Sequence, residues 1–236
     1  MIDIHTHLLF GVDDGSVNLE ESINQINKAY ENGIKAIVLT PHYIEDSKYS
    51  SNLENNKKIF NILKSKITNV ELFLGNECYI TDDLLKLLKE KKITTINNSK
   101  YLLVEFPRMG KLLNLEEKLQ TLINNDIIPI ICHPERYSIY KENPKNIVNL
   151  INLGCLIQIN AFSLLKLYGS DAKKTAMYFL KNEYVDFIAT DIHDRDFYSS
   201  IKKLKKITNE EYFKKITITN PLKVINNEDI EKTYIF

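Results

Sequence analysis

At 236 residues the chain can bury one sizeable core, and an apolar content of 44% is ordinary for a soluble globular protein. Lys+Arg and Asp+Glu both total 31, so no net field draws the chain to nucleic acid or to an anionic membrane. No apolar run nears the ~20 residues that cross a bilayer. Residues 1–10 lack the pattern of a secretion signal, and Cys78, Cys132 and Cys155 have no CxxC spacing, so they read as reduced thiols of a cytoplasmic protein.

Short runs rich in Ile, Val, Leu and Phe alternate with amphipathic stretches. The first run covers 2–5. Asn18, with Glu21 three residues later, reads as a helix N-cap; Ile23, Ile26 and Tyr30 then share a face, and Gly33 is placed as the stop. A second strand is expected at 36–40, a helix at 52–66 and a third strand at 70–75. Thr81 precedes a leucine-rich helix. Strand 101–105 is followed by Asn114 and Glu117, a second cap pattern before Leu119, Leu122 and Ile123. Strands 128–132, 156–160 and 187–190 are followed by helices near 144–153, 170–182 and 197–207. Strands of nearly continuous apolarity are covered on both faces, as in a parallel sheet. Seven strand–helix units in one series, read as one domain over residues 1–236, argue for a closed or nearly closed α/β barrel. The competing doubly wound sheet would need a phosphate-binding glycine loop, and the seven glycines nowhere cluster.

All five histidines fall at C-terminal ends of these strands: His5 and His7 at the end of the first, His42 after the second, His133 at the end of the fifth, His193 after the seventh. Asp13, Asp14, Glu77, Glu105, Asn160 and Asp191 join them there. In a parallel barrel those ends converge on one face, where active sites are built. Each piece has a bland alternative: "VDDGS" is an ordinary turn, "HPER" a turn closed by proline. Separate accidents would not put every histidine on one rim. His5, His7, Asp14, His42, Glu77, Glu105, His133, Asp191 and His193 are nine candidate ligands, too many for one ion of coordination ~4–6. Imidazole and carboxylate without thiolate suit Mn²⁺, Fe²⁺ or Zn²⁺. Two or three such ions would activate water and clamp an oxyanion for in-line displacement at phosphorus. Asp3, facing as His5 does by the period of two, is expected to support a ligand. Tyr43 and Tyr137 are near enough to ligands in sequence to stack on a substrate ring. Arg108, one of only three arginines, reads as a rim charge.

"MIDIHTH", "TPHY", "HPERY" and "ATDIH" resemble motifs of the PHP (polymerase and histidinol phosphatase) superfamily. More narrowly, "DIHTH…GVDDG", "EFP", "HPERY", "QIN" and "NPLKV" are similar to its bacterial protein-tyrosine phosphatases of capsule and exopolysaccharide loci, in order from Met1 to about Val224. The resemblance implies a distorted (β/α)₇ TIM-like barrel of PHP fold and a manganese-preferring cluster of up to three ions. It implies the same nine ligands, with Asp14 rather than Asp13 as the first aspartate. It also implies phosphotyrosine hydrolysis on the tail of a bacterial tyrosine kinase that controls polysaccharide export. Arg136 would be the phosphate-binding arginine. The family's second arginine, usually followed by prolines, has Arg195 as its counterpart here, in "DIHDRDFYSS" without proline. His42 and Asp194 are candidates for the general acid. Two other readings compete: a small-molecule phosphomonoesterase such as a histidinol phosphatase, and a regulatory module that keeps its metals without catalysis. The thiol route of other tyrosine phosphatases is excluded, because the positions six after each cysteine are Leu84, Ser138 and Ala161, none an arginine.

Overall fold

In the computed structural model, residues 1–50, 52–109, 113–193 and 198–231 are described. The strands are β1 (Ile2–Thr6), β2 (Ala36–Leu39), β3 (His42–Tyr43), β4 (Glu71–Leu74), β5 (Glu77–Tyr79), β6 (Tyr101–Glu105), β7 (Ile128–Cys132), β8 (Leu156–Asn160) and β9 (Phe187–Ala189). All pair in parallel. The strands expected at 36–40 and 70–75 are β2 and β4, and each is followed after a break by a short further strand, β3 and β5, which the sequence did not mark and which is the distortion of this barrel. One break follows β2 at Pro41, which has no N–H for the ladder. The other lies at Gly75 and Asn76. A Cβ on Gly75 would stand 3.3 Å from the Ile96 Cα, a tight contact that would push the neighbouring turn outward. Asn76 stitches the gap, donating to the Pro41 carbonyl (3.1 Å) and accepting from the Thr94 N–H (3.0 Å).

The sheet therefore has two tiers, β1-β2-β4 and β3-β5-β6-β7-β8-β9. First and last strands meet at the rim. Thr6 bridges Ile192, the His7 N–H donates to the Ile192 carbonyl (2.8 Å), and the Asp191 N–H donates to the His5 carbonyl (2.9 Å).

Alternation along the strands separates two cores. Ile37, Leu39, Leu102, Val104, Ile131, Ile157 and Ile188 pack with the surrounding helices. Ala36, Val38, Tyr101, Leu103, Ile130, Leu156, Phe187 and Ala189 form a second cluster inside the barrel. Val224, Ile225 and Ile230 of the C-terminal segment join this inner cluster. They close its lower end, where the Tyr101 hydroxyl donates to the Glu228 carbonyl (2.7 Å).

The inner face turns polar as the same strands rise: Leu103 is followed two residues on by Glu105, Leu156 by Gln158 and Asn160. β1 reaches the inner face by a different route. Its register against β2 slips between Asp3 and Thr6, three residues on β1 spanning two on β2. This bulge lets Ile4 and His5 both serve the interior, and Asp3 faces the other way. The period-of-two expectation for Asp3 is thereby overturned. Asp3 accepts from the Thr190 hydroxyl (2.6 Å) and N–H (3.0 Å), it meets His5 only through the backbone N–H (3.5 Å), and burial pushes its carboxyl up to about 6.

Among the helices, Asn18 accepts from the Glu21 N–H (2.9 Å), and Gly33 stands at φ 93° after helix Leu19–Glu31. Asn114 makes no cap bond; it adopts a left-handed φ of 57° before helix Leu115–Ile123, so its side chain does not meet the first turn. The helix after Thr81 begins only at Leu84, with the Thr81 hydroxyl accepting from the Asp83 N–H (3.3 Å). The described part of 197–207 is a 3₁₀ segment, Tyr198–Lys206. No helix among the described residues is long and apolar enough to cross a membrane.

Candidate metal centre

The strand tips bring all five histidines together. Ring centroids of His7 and His193 are 4.0 Å apart, His7 and His42 4.4 Å, His5 and His7 5.3 Å, His5 and His133 5.7 Å. Three overlapping groups of donor atoms result: His7, Asp14, His42 and His193; His5, Glu77, His133 and Asp191; and His42, Glu77 and Glu105. Together they contain the nine residues singled out in the sequence. Two of these residues sit in left-handed backbone conformations, His133 (φ 37°) and Asp191 (φ 52°). Such strain on non-glycine residues at strand ends is held in place by the surrounding fold and is typical of functional sites.

Glu77 is the hub. Its Oε2 lies 2.9 Å from His42 Nδ1 and 3.2 Å from both His5 Nε2 and His7 Nε2, and no hydrogen bond satisfies it. The two Nε2 atoms also face each other at 3.2 Å. Neither ring can turn away. His7 Nδ1–H donates to Asp13 (2.7 Å), and His5 Nδ1 bonds Gln158 Oε1 (2.9 Å). His193 Nδ1–H likewise donates to the Asp191 carbonyl (3.0 Å), leaving Nε2 toward Asp14 at 3.4 Å. Lone pairs crowded around a buried carboxylate need positive charge between them. Neighbouring donors on one octahedral ion with bonds of ~2.1 Å stand ~3 Å apart, close to the spacing seen at Glu77. The donor set therefore fits divalent cations.

The electrostatics agree. Burial opposes charging His5, yet Glu77 and Asp191 hold its imidazole up to about 9. Burial would likewise raise Glu77, but His5 and His42 draw it well below the ordinary carboxylate range. Without ions, protons occupy the places that cations would take. His133 is the exception: burial, with Arg136 beside it, pushes it down to about 4, so it is a neutral lone-pair donor. Glu105 is pushed up to about 7 by burial and by Glu77.

Asp13 and Asp14 divide the work. Asp14 is 44% exposed and belongs to the outermost donor group. Asp13 holds His7, accepts from the His42 N–H (3.0 Å) and from the Gly15 N–H (3.0 Å), and so orients two candidate ligands at once. Gly15 has to be glycine here: a Cβ would stand 1.8 Å from the His7 carbonyl oxygen.

Arg136 enters from the 3₁₀ turn Pro134–Arg136 and donates from Nη1 to Asp191 Oδ2 (2.6 Å). Asn160 Nδ2 donates to the same oxygen (2.9 Å). Glu135, fully buried, ties that turn to the end of β8, accepting from the Asn160 N–H (2.9 Å) and the Ser163 hydroxyl (2.6 Å). Arg108 is a rim charge, 3.6 Å from Glu105. Arg195 and Asp194 lie outside the described residues.

The aromatic expectation is corrected. Tyr43 and Tyr137 are buried, with Tyr137 packed on Phe106 at 4.4 Å between centroids, and neither presents a ring to the opening. Tyr137 sets its buried ring edge-on to His133 at 5.8 Å, and the further rings beside the site are Tyr49, 5.8 Å from His42, and Tyr168, over Arg136, neither of which the sequence marked. Sequence reading missed both because they lie in loops with no local pattern. Gln158 and Asp13 were more accessible: the first is two residues before Asn160 on one strand face, the second beside a ligand.

The profile described as "Capsular polysaccharide synthesis, CpsB/CapC" matches residues 1–226. The chain is 34% identical to the putative tyrosine-protein phosphatase CapC of Staphylococcus aureus, over 98% of this chain and 94% of that protein. It is 35% identical to the tyrosine-protein phosphatase CpsB of Streptococcus agalactiae, over 83% and 84%. A crystal structure from work on YwqE of Bacillus subtilis and CpsB of Streptococcus pneumoniae, metal-dependent tyrosine phosphatases, superposes with a TM-score of 0.85 at 25% identity. It covers 99% of this chain and 97% of that one.

Proposed function

The chain belongs to the CpsB/CapC family of capsular polysaccharide synthesis, and from that premise we propose that it is a manganese-dependent protein-tyrosine phosphatase. Its substrate would be phosphotyrosine on a cytoplasmic bacterial tyrosine kinase that regulates capsule or exopolysaccharide production. The observation that carries the reading is the Glu77–His42 hub, which links three donor groups into one centre with room for two or three ions. His5, His7, Asp14, His42, Glu77, Glu105, His133, Asp191 and His193 would hold them. Bound divalent ions supply Lewis acidity at phosphorus and lower the pKa of a water nucleophile.

The remaining work falls to the chain. Arg136 presents guanidinium donors to the phosphoryl oxygens, a geometry suited to bidentate pairing. Asn160 and Arg136 share one Asp191 oxygen, fixing the carboxylate's orientation. Asp13 and Gln158 hold the imidazoles of His7 and His5 in a tautomer that leaves Nε2 free. Tyrosinate, with a pKa of ~10, leaves with less protonation than an alkoxide needs. Arg195 would act as a second phosphate-binding arginine.

The test is turnover of a phosphotyrosine peptide by Mn²⁺-loaded protein, before and after chelation, beside histidinol phosphate. Metal-dependent turnover that favours the peptide is expected. A clear preference for histidinol phosphate, or peptide turnover indifferent to chelation, would refute the reading.

A further inference from the structure

Arg136 is pulled two ways. Its Nη1 makes a 2.6 Å charge-assisted bond to Asp191, which is itself crowded by His5, His7 and His133. A carboxylate facing a guanidinium fork prefers two parallel N–H···O bonds. The guanidinium carries five N–H donors on two edges, so the bond to Asp191 leaves a second edge for a phosphoryl group only while the plane of the fork keeps that edge toward the opening. Something must hold that plane. Tyr168 is placed to do so. The guanidinium carbon lies 4.1 Å from the centroid of its ring, and Asn160 Nδ2 shares Asp191 Oδ2 with Arg136. Ring, amide and carboxylate thus contact the same arginine system from separate elements: Tyr168 stands just before helix Gly169–Lys181, Asn160 at the tip of β8, and Asp191 beyond β9.

Resting on the phosphatase reading of this site, we propose that Tyr168 is a positioning residue. Its ring fixes the plane of the Arg136 guanidinium so that one edge serves Asp191 and the other is kept for the substrate phosphate. Stacking restricts rotation out of the plane but does not consume an N–H, so it leaves the donors that a phosphate would use.

The experiment is a double-mutant cycle read by binding of inorganic phosphate to the Mn²⁺-loaded protein, using calorimetry, with thermal melting to verify folding. Because Tyr168 is 39% exposed, its truncation should leave the fold intact. Tyr168→Ala should weaken phosphate by about 3- to 30-fold, the range of a cation–π contact that is partly desolvated. Tyr168→Phe keeps the ring and should bind within about twofold of the parent. In an Arg136→Ala background, Tyr168→Ala should have no further effect. Unchanged phosphate binding in Tyr168→Ala, an equal loss with and without Arg136, or a Phe variant as weak as Ala would each overturn the proposal. Phosphate binding is read without turnover. Intact coupling with no hydrolysis of phosphotyrosine peptides would therefore uphold the stack and defeat the phosphatase reading.

Discussion

The two ends of the barrel are built from the same strands and could hardly differ more. At the lower end Leu103, Leu156 and Phe187 pack against Val224, Ile225 and Ile230, with the Tyr101 hydroxyl as the polar tie. Two to four residues higher, the same inner face carries Glu105, Gln158, Asn160 and Asp191. The lower end gains stability from removing apolar surface from water. The upper end buries like charges and lone pairs, a costly arrangement unless cations arrive. The difference teaches how one barrel can be stable and reactive together: the apolar floor offsets the unfavourable rim and keeps it in place while it is unloaded.

That division is open to direct attack. The largest effect should come from the hub. Glu77→Gln removes the carboxylate shared by two donor groups, so kcat/KM on a phosphotyrosine peptide should fall by about 1000-fold or more. A variant that retained activity would show that the three groups do not work as one centre. At the floor, Ile225→Ala should cost about 2–5 kcal/mol of stability by denaturant unfolding while leaving kcat/KM of the folded protein unchanged. A matching loss of activity would mean the two ends are mechanically coupled.

Asp13→Asn is a smaller perturbation on the rim. The imidazole of His7 loses its anionic partner, and metal affinity should drop by about 10- to 100-fold in competition with a chelator. Asp14→Asn, which alters a donor rather than its support, should cost more. The reverse order would exchange the roles assigned to the two aspartates.

The smallest effect is a difference in the sign of pH dependence. In the ion-free protein Glu135 and Glu105 are pushed up to about 7, chiefly by burial. The folded state then binds more protons than the unfolded one, so stability falls as pH rises from about 4.5 toward 7. His5, raised to about 9, adds stability that is complete below 6.5 and is lost as pH climbs through 9. Ion binding must displace such protons, so the stabilisation added by Mn²⁺ should grow over the same range. Melting curves between pH 5.5 and 8, with and without Mn²⁺, should therefore diverge upward, and an increment that shrank with pH would contradict the proton competition.

Much of this was legible in the chain. The strand series, the placing of every histidine at or just past a strand end and the exclusion of thiol chemistry follow from local patterns, whereas the preference for Asp14 over Asp13 as a ligand rests on the family resemblance. A strand end is marked by where its apolar run stops, and the parallel order makes all the ends face one way. What the tertiary structure alone decided is finer. The bulge between Asp3 and Thr6 reversed the direction of Asp3, because one extra residue in β1 is visible only against its partner strand. The short strands β3 and β5, set off from β2 and β4 by Pro41 and by the turn at Gly75 and Asn76, carry His42 and Glu77 to the rim. Tyr168 reached Arg136 from a loop 32 residues further along, a pairing that no periodicity encodes. Local spacing determines which residue types arrive at the rim; only the packed neighbours determine which way each one turns.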